Sequence, residues 1–199
     1  MQTPAEKRLV AYLTGIITAI NNERDTSPRI LNVGAGRSSV IEEFLAEAGC
    51  RFTCDRVDID DCGVDHPAID ECWTCSAEAM TPVGSERYAA AFSNYVLEHI
   101  EDLPGAAAEI FRVLAPGGVY ATTVPNPAAP EFVLARHTPL WFHRRVREAE
   151  SWETHYCFKS IGELTGIFEK AGLAVGETVY YPVTHYYLAR NAIGGAVSR

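Results

Sequence analysis

Basic residues are in short supply. The chain has 199 residues, with 17 Lys and Arg against 26 Asp and Glu, for a net charge of −9. Gripping a nucleic-acid backbone takes clustered cations that neutralise phosphates, so no nucleic-acid partner is expected. The one small basic cluster, Arg144-Arg145-Val146-Arg147, reads either as a solvated helix face or as a contact for a phosphorylated substrate. Long apolar runs are also missing. None approaches the ~20 residues that cross a bilayer, so no membrane span is expected. The N-terminus lacks the charged-then-apolar pattern of a secretory signal, which makes a soluble cytoplasmic protein the expectation. Paired cysteines are scarce too. Five of the six cysteines fall between Cys50 and Cys75, with His66 nearby, yet only Cys72-Trp73-Thr74-Cys75 has ligand spacing. A structural zinc wants two such pairs, so the expectation is no metal and reduced, partly buried thiols, with a metal or redox role as the alternative.

What is present is a fully foldable α/β pattern. Hydrophobic residues make up 47 % of the chain, and the length suits one domain over residues 1–199 with a full core. The most informative stretch is Arg29-Ile30-Leu31-Asn32-Val33-Gly34-Ala35-Gly36-Arg37-Ser38-Ser39. It reads as a buried strand, a glycine turn and the start of a helix. The two glycines let backbone approach a ligand closely, and the helix start offers free N–H groups and the positive end of its dipole. About 22 residues beyond Gly36, Val57-Asp58-Ile59-Asp60 reads as a second strand ending in acid. That spacing suits a nucleoside site in which a carboxylate accepts from ribose hydroxyls.

Around this core the periodicity predicts an N-terminal helix over 5–22, from Leu9, Val10, Leu13, Ile16, Ile17 and Ile20. Strand one spans about 29–34, and a helix follows over about 38–49 with Val40, Ile41, Phe44 and Leu45 facing inward. Strand two covers about 51–59, residues 61–72 read as loop, and a short strand covers 72–76. Strand four starts at Tyr88, on alanines that are weak β-formers. A helix over 106–114 ends at Ala115-Pro116-Gly117-Gly118, and strand five covers 119–124. Residues 126–157 lose clean periodicity and read as an insertion on the acceptor side. A last helix over 160–171 has Ser160 as N-cap, Glu163 completing a capping box, and Gly172 just past its end. Two closing strands over 173–181 and 183–190 are close enough to pair as a hairpin, so one must run antiparallel. Alternating strands and helices predict a doubly wound, mostly parallel sheet with right-handed crossovers.

A two-glycine turn alone does not choose the ligand. Dinucleotide oxidoreductases use a third glycine three positions after the second, and here that place is Ser39. Three further segments carry a family resemblance. Phe92-Ser93-Asn94-Tyr95-Val96-Leu97-Glu98-His99-Ile100 resembles the fourth-strand motif of class I S-adenosylmethionine-dependent methyltransferases. Ile110-Phe111-Arg112-Val113-Leu114-Ala115-Pro116-Gly117-Gly118 resembles their helix-to-strand turn. His155 to Ser160, followed by Glu163-Leu164 and Ala171-Gly172-Leu173, resembles their usual last helix. With the glycine turn and the Asp58 strand, the match spans residues 29–173 in order. The resemblance implies a seven-stranded Rossmann-like methyltransferase fold with an antiparallel last strand, and S-adenosyl-L-methionine as cofactor. It implies that Gly34 and Gly36 line the methionine end of the donor, with Asn32 standing where an acid is common. Asp58 would hold the ribose hydroxyls, Ile59 the adenine face, Ser76 and Ala77 the adenine edge, and Asn94 a place beside the sulfonium. Ser76 replaces a usual aspartate there.

The resemblance also implies a small-molecule acceptor, and the histidines favour O-methylation of a sugar or a phenolic, quinone-like hydroxyl. As general base, His155 is preferred, then His137, with His99 and His143 as further candidates; each has a structural role as its alternative. The aromatic residues of 131–158 read as a flat pocket wall or a satellite core. Tyr180, Tyr181, His185, Tyr186 and Tyr187 read as pocket cover or as the surface of a homodimer. Two other functions stay open at this point: a nicotinamide-dependent oxidoreductase, and a non-catalytic binding module on a methyltransferase fold.

Overall fold

The computed structural model describes residues 3–127 and 157–181. Helix α1, Pro4–Arg24, starts on a complete capping box. Thr3 Oγ1 accepts from the Glu6 N–H (3.2 Å), and Glu6 Oε2 accepts from the Thr3 N–H (2.7 Å). Leu9, Leu13 and Ile17 recur at every fourth position and are buried. They cover one face of the sheet together with Ile30, Ile41, Leu45, Phe52, Cys54, Ala90 and Phe92.

The sheet contains β1 (Arg29–Val33), β2 (Thr53–Asp58), β3 (Ile69–Thr74), β4 (Tyr88–Asn94) and β5 (Leu114–Thr123). Their order is β3-β2-β1-β4-β5, and every pairing is parallel. Helix α2 (Val40–Glu47) links β1 to β2, and α3 (Leu103–Val113) links β4 to β5 after a 3-10 turn at Leu97–His99. Helix α4, Ile161–Lys170, packs with α3 on the opposite face from α1, where Leu103, Ile110, Leu164 and Phe168 join one apolar cluster. The order in which strands are added reverses between β1 and β4, which opens a crevice at the carboxyl ends of those strands.

Several expectations need correction. Strand β3 begins at Ile69, inside the stretch read as loop, and ends at Thr74. Its acids misled the reading, but Ile69, Glu71 and Trp73 alternate inward as an edge strand requires. In α2, Val40 is 41 % exposed while Glu42 is fully buried, so the inward face is turned by a position from the expected one. Strand β4 forms despite its alanines because Ala90 and Ala91 have no exposed surface, each lying under a helical layer with no room for more. Strand β5 begins five residues early, at Leu114; its pairing starts at Tyr88↔Leu114 and resumes, shifted, at Ala90↔Val119, so Ala115–Gly118 forms an irregularity within it.

The last helix is capped by Ser160, whose Oγ accepts from the Glu163 N–H (3.1 Å). The Glu163 carboxylate reaches the Lys159 N–H (2.7 Å), one residue further out than a strict capping box. Residues 173–181 form no strand among the described residues, and 183–190 lie outside them. The described sheet therefore has five parallel strands. Most of the expected 126–157 insertion, with His137, His143 and His155, also lies outside the described residues. No described helix is long and apolar enough to cross a membrane.

Candidate functional site

The glycine turn after β1 is held from three sides. Val57 O, on β2, accepts from the N–H groups of Gly34 (2.8 Å) and Ala35 (3.1 Å). Gly34 and Gly36 adopt φ of +71° and +54°, a region that L side chains enter at a cost. A Cβ on Gly34 would lie 2.4 Å from both Val96 methyls, whereas one on Gly36 would meet nothing within 4 Å. Gly34 thus serves a close approach of two chain segments, and Gly36 faces open space.

Asp58 ends β2 beside this turn. Its Oδ2 accepts from the Gly36 N–H (2.7 Å), and its Oδ1 accepts from the Asp60 N–H (3.0 Å). Its backbone carbonyl accepts from the Cys75 N–H (2.8 Å), which brings the end of β2 against Ser76 and Ala77 after β3. Ile59 is 58 % exposed. The Ser76 hydroxyl accepts from the Glu78 N–H (3.1 Å) within its own turn.

On the other side of the glycine turn lies a cavity of about 410 Å³, lined by Glu6, Asn32, Gly34, Ser38, Phe44 and Asn94 among others. That is within the size range of small-molecule pockets, about 300–1,000 Å³. Asn94 Nδ2 donates to Glu6 Oε1 (3.1 Å), and its Oδ1 accepts from Thr123 Oγ1 (2.6 Å). Next to it, Tyr95 takes φ of +57°, its N–H donates to Thr123 O (3.0 Å), and its hydroxyl lies 3.3 Å from Thr3 Oγ1. The first turn of α1 therefore forms part of the cavity wall.

Of the site residues read from the sequence, the structure gathers Asn32, Gly34 and Asn94 round the cavity. It sets Asp58, Ile59, Ser76 and Ala77 along the ends of β2 and β3, and the Gly36–Asp58 bond joins the two groups. His99 is half-buried at the end of the 3-10 turn. His137 and His155 lie outside the described residues. Sequence reading missed Glu6, Glu42, Arg56 and Thr123. Only Arg56 left a signal, as a cation in the middle of a strand that is otherwise buried. The turn can receive an anionic group, because the N–H groups of Arg37 and Ser39 at the start of α2 have no partner among the described residues. Among those residues, no group of three or more His, Cys, Asp or Glu is placed to hold a metal ion.

A family model described as "Methyltransferase domain" matches residues 5–178. The chain belongs to that family. S-adenosylmethionine is named as the donor of two of the proteins it is similar to. A candidate S-adenosylmethionine-dependent methyltransferase of Mycolicibacterium smegmatis is 38 % identical over 85 residues, 42 % of this chain and 28 % of that one. The ubiquinone biosynthesis O-methyltransferase of Methylobacterium nodulans is 31 % identical over 113 residues, 53 % of this chain and 43 % of that one. The chain spans less than half the length of these two curated relatives. Among solved structures, a candidate methyltransferase from Bacillus halodurans C-125 aligns with a TM-score of 0.59 at 17 % identity, over 84 % of this chain and 70 % of that one. Phosphoethanolamine N-methyltransferase 2 of Haemonchus contortus, in complex with S-adenosyl-L-methionine, aligns with a TM-score of 0.53 at 16 % identity, over 81 % and 36 %. At these identities the structural likeness speaks for the fold.

This methyltransferase domain also buries a carboxyl after β4. Glu98 is 5 % exposed, and its Oε2 has no hydrogen-bond partner among the described residues. Burial pushes its pKa up to about 7, against a smaller opposing effect of its own backbone amide. Between pH 4.5 and 7 the unfolded chain releases this proton while the folded one keeps it. Stability from this group is therefore full below pH 4.5 and is lost as pH rises through 7. Glu98→Gln is expected to remove a loss on the order of 3 kcal/mol between pH 4.5 and 8. Urea denaturation of both proteins at pH 5 and pH 8 reads the difference; parallel pH dependence in the two would refute it.

Proposed function

We propose that the chain transfers a methyl group from S-adenosylmethionine to a small molecule, with a sugar or phenolic, quinone-like hydroxyl as the leading acceptor. The observation that carries this reading is the direct bond from the Gly36 N–H to the Asp58 carboxylate. It couples the turn that meets the donor's amino-acid end to the acid that meets its ribose. On this reading Gly34 and Gly36 line the methionine end, Asp58 takes the ribose hydroxyls, and Ile59 covers the adenine face. Ser76 and Ala77 border the adenine edge. Asn32 and Asn94 face the donor from the cavity. The name of the O-methyltransferase from Methylobacterium nodulans supports an oxygen acceptor.

The donor supplies a methyl on a positive sulfur, which leaves as a neutral thioether when the acceptor attacks in line. No acid is needed to expel it. The protein's work is to hold the acceptor in line, a contribution of up to ~7–11 kcal/mol for well-oriented pairs. It must also accept the hydroxyl proton, for which His155, His137 and His99 are the proposed bases, at about 10²–10⁴-fold. One soluble domain over residues 1–199, acting alone or as a homodimer in the cytoplasm, completes the proposal.

Isothermal calorimetry with S-adenosylmethionine, S-adenosylhomocysteine and nicotinamide dinucleotides tests the donor. Turnover against a panel of hydroxylated acceptors tests the reaction. Asp58→Ala is expected to weaken S-adenosylhomocysteine binding about 10- to 100-fold, the worth of hydrogen bonds to a charged group, ~1.5–3 kcal/mol. Dinucleotide binding by the wild type, or full affinity in the variant, would count against the reading. Donor binding without methylation of any acceptor would favour a binding module.

A further inference from the structure

Beneath the glycine turn lies a buried ion pair whose place the donor reading does not explain. Arg56, in the middle of β2, and Glu42, in the first turn of α2, both have no exposed surface. Arg56 Nη2 donates to the carbonyls of Ser38 (2.6 Å) and Ala35 (2.8 Å), and more distantly to that of Gly36 (3.4 Å). A trans peptide holds each carbonyl antiparallel to the N–H that follows it. Drawing these three carbonyls towards Arg56 therefore turns the N–H groups of Gly36, Arg37 and Ser39 away from it. That of Gly36 is taken by Asp58, and those of Arg37 and Ser39 have no partner among the described residues.

Glu42 acts on the other side of the turn. Its Oε1 accepts from Asn32 Nδ2 (2.8 Å) and lies 3.5 Å from Arg56 Nε. A carboxylate only accepts hydrogen bonds, so it decides which end of the Asn32 amide it meets. Nδ2 is committed to Glu42, and Oδ1 is the atom left for the cavity that Asn32 lines. The pair is a poor device for stability alone. Glu42 Oε2 and Arg56 Nε and Nη1 have no hydrogen-bond partner in their buried surroundings. Buried ion pairs replaced by apolar pairs of the same volume often leave a core as stable as before.

We propose that Arg56 and Glu42 are positioning residues that shape the turn for a zwitterion, the amino-acid end of the donor. Arg56 aims the loop N–H groups at its carboxylate, and Glu42 aims Asn32 Oδ1 at its ammonium. The inference rests on the donor reading given above, and adds two residues that touch no ligand themselves.

Two probes separate this role from a general one in folding. S-adenosylhomocysteine carries the amino-acid end, and 5′-methylthioadenosine shares the adenosine and sulfur but lacks it. The double variant Glu42→Gln/Arg56→Met removes both charges together, so neither is left buried alone. Its S-adenosylhomocysteine Kd is expected to rise about 10- to 100-fold, while its methylthioadenosine Kd stays within about twofold. Glu42→Gln alone, nearly the same shape, is expected to show the same selectivity to a lesser degree, and it serves if the double variant does not fold. Equal weakening of both probes would make the pair structural and overturn the proposal. So would unchanged binding of both. A wild-type protein that binds neither probe would instead sink the donor reading itself.

Discussion

Replacing Gly34 with alanine is expected to destabilise the protein by about 2–5 kcal/mol. The left-handed backbone at φ +71° costs an L residue about 1–2 kcal/mol, and the added methyl would lie 2.4 Å from both Val96 methyls, an overpacking that costs about 1–3 kcal/mol. Val96 has little freedom to retreat. The preceding Tyr95 is pinned at φ +57° by its N–H, which reaches both Thr123 O (3.0 Å) and Thr123 Oγ1 (3.2 Å). In Gly34→Ala/Val96→Ala the clash is relieved and the backbone cost stays, so about half the loss should return in a double-mutant cycle. Gly36→Ala is the control, since its new methyl meets nothing within 4 Å and only the backbone cost applies. Equal denaturation midpoints for Gly34→Ala and Gly36→Ala would show that contact with Val96 does not matter.

Asp55→Ala is expected to cost a similar amount, about 2–4 kcal/mol, for a different reason. Asp55 is fully buried near the amino-terminal ends of the strands. It accepts from Arg29 Nη1 (2.5 Å), the Tyr88 hydroxyl (2.8 Å) and the Glu71 N–H (3.3 Å), with Arg87 Nη2 at 3.2 Å. Burial and the bond to Asp55 together hold the Tyr88 phenol far above its usual pKa. Losing the carboxylate strands that hydroxyl in a site with no exposed surface, worth about 1–3 kcal/mol. The two arginines count for less, because their side chains are 29 % and 30 % exposed and water can replace the lost partner. Since the cluster sits at the far end of the strands from the cavity, donor affinity should hold in whatever fraction stays folded. Urea denaturation and calorimetry on the same preparation test both halves; a variant as stable as the parent would show that the cluster is ornamental.

How much of this was legible in the sequence depends on how local the cause is. The glycine turn and the cap of α4 were readable because each is decided within a few residues by turn and cap chemistry, and α1 through the spacing of its apolar residues. The family resemblance ran through those same local motifs. Strand β4 was readable only in context, since its alanines reflect two helices pressing on it and not any preference of their own. Glu42 and Asp55 were not legible, and Arg56 showed only as a cation within a strand, without its role. A charge within an apolar pattern reads as a surface residue until its partner is known, and each partner comes from another element. Asn32 shows this best. It stands where an acid is common, and the structure sets a carboxylate directly behind it on α2. The start of β3 was lost among acids for the same reason, as Glu71 is held by Arg87 (3.0 Å) in a way no periodicity reveals.

The reach of Thr3 and Glu6 to Tyr95 and Asn94 has a practical side. A bulky group joined just ahead of Thr3 would sit near Asn94, the amide that walls the cavity. Bulk there that parts Glu6 from Asn94 would make a ligand read weaker than the unencumbered polypeptide binds it. A group cleaved away before titration spares that doorway.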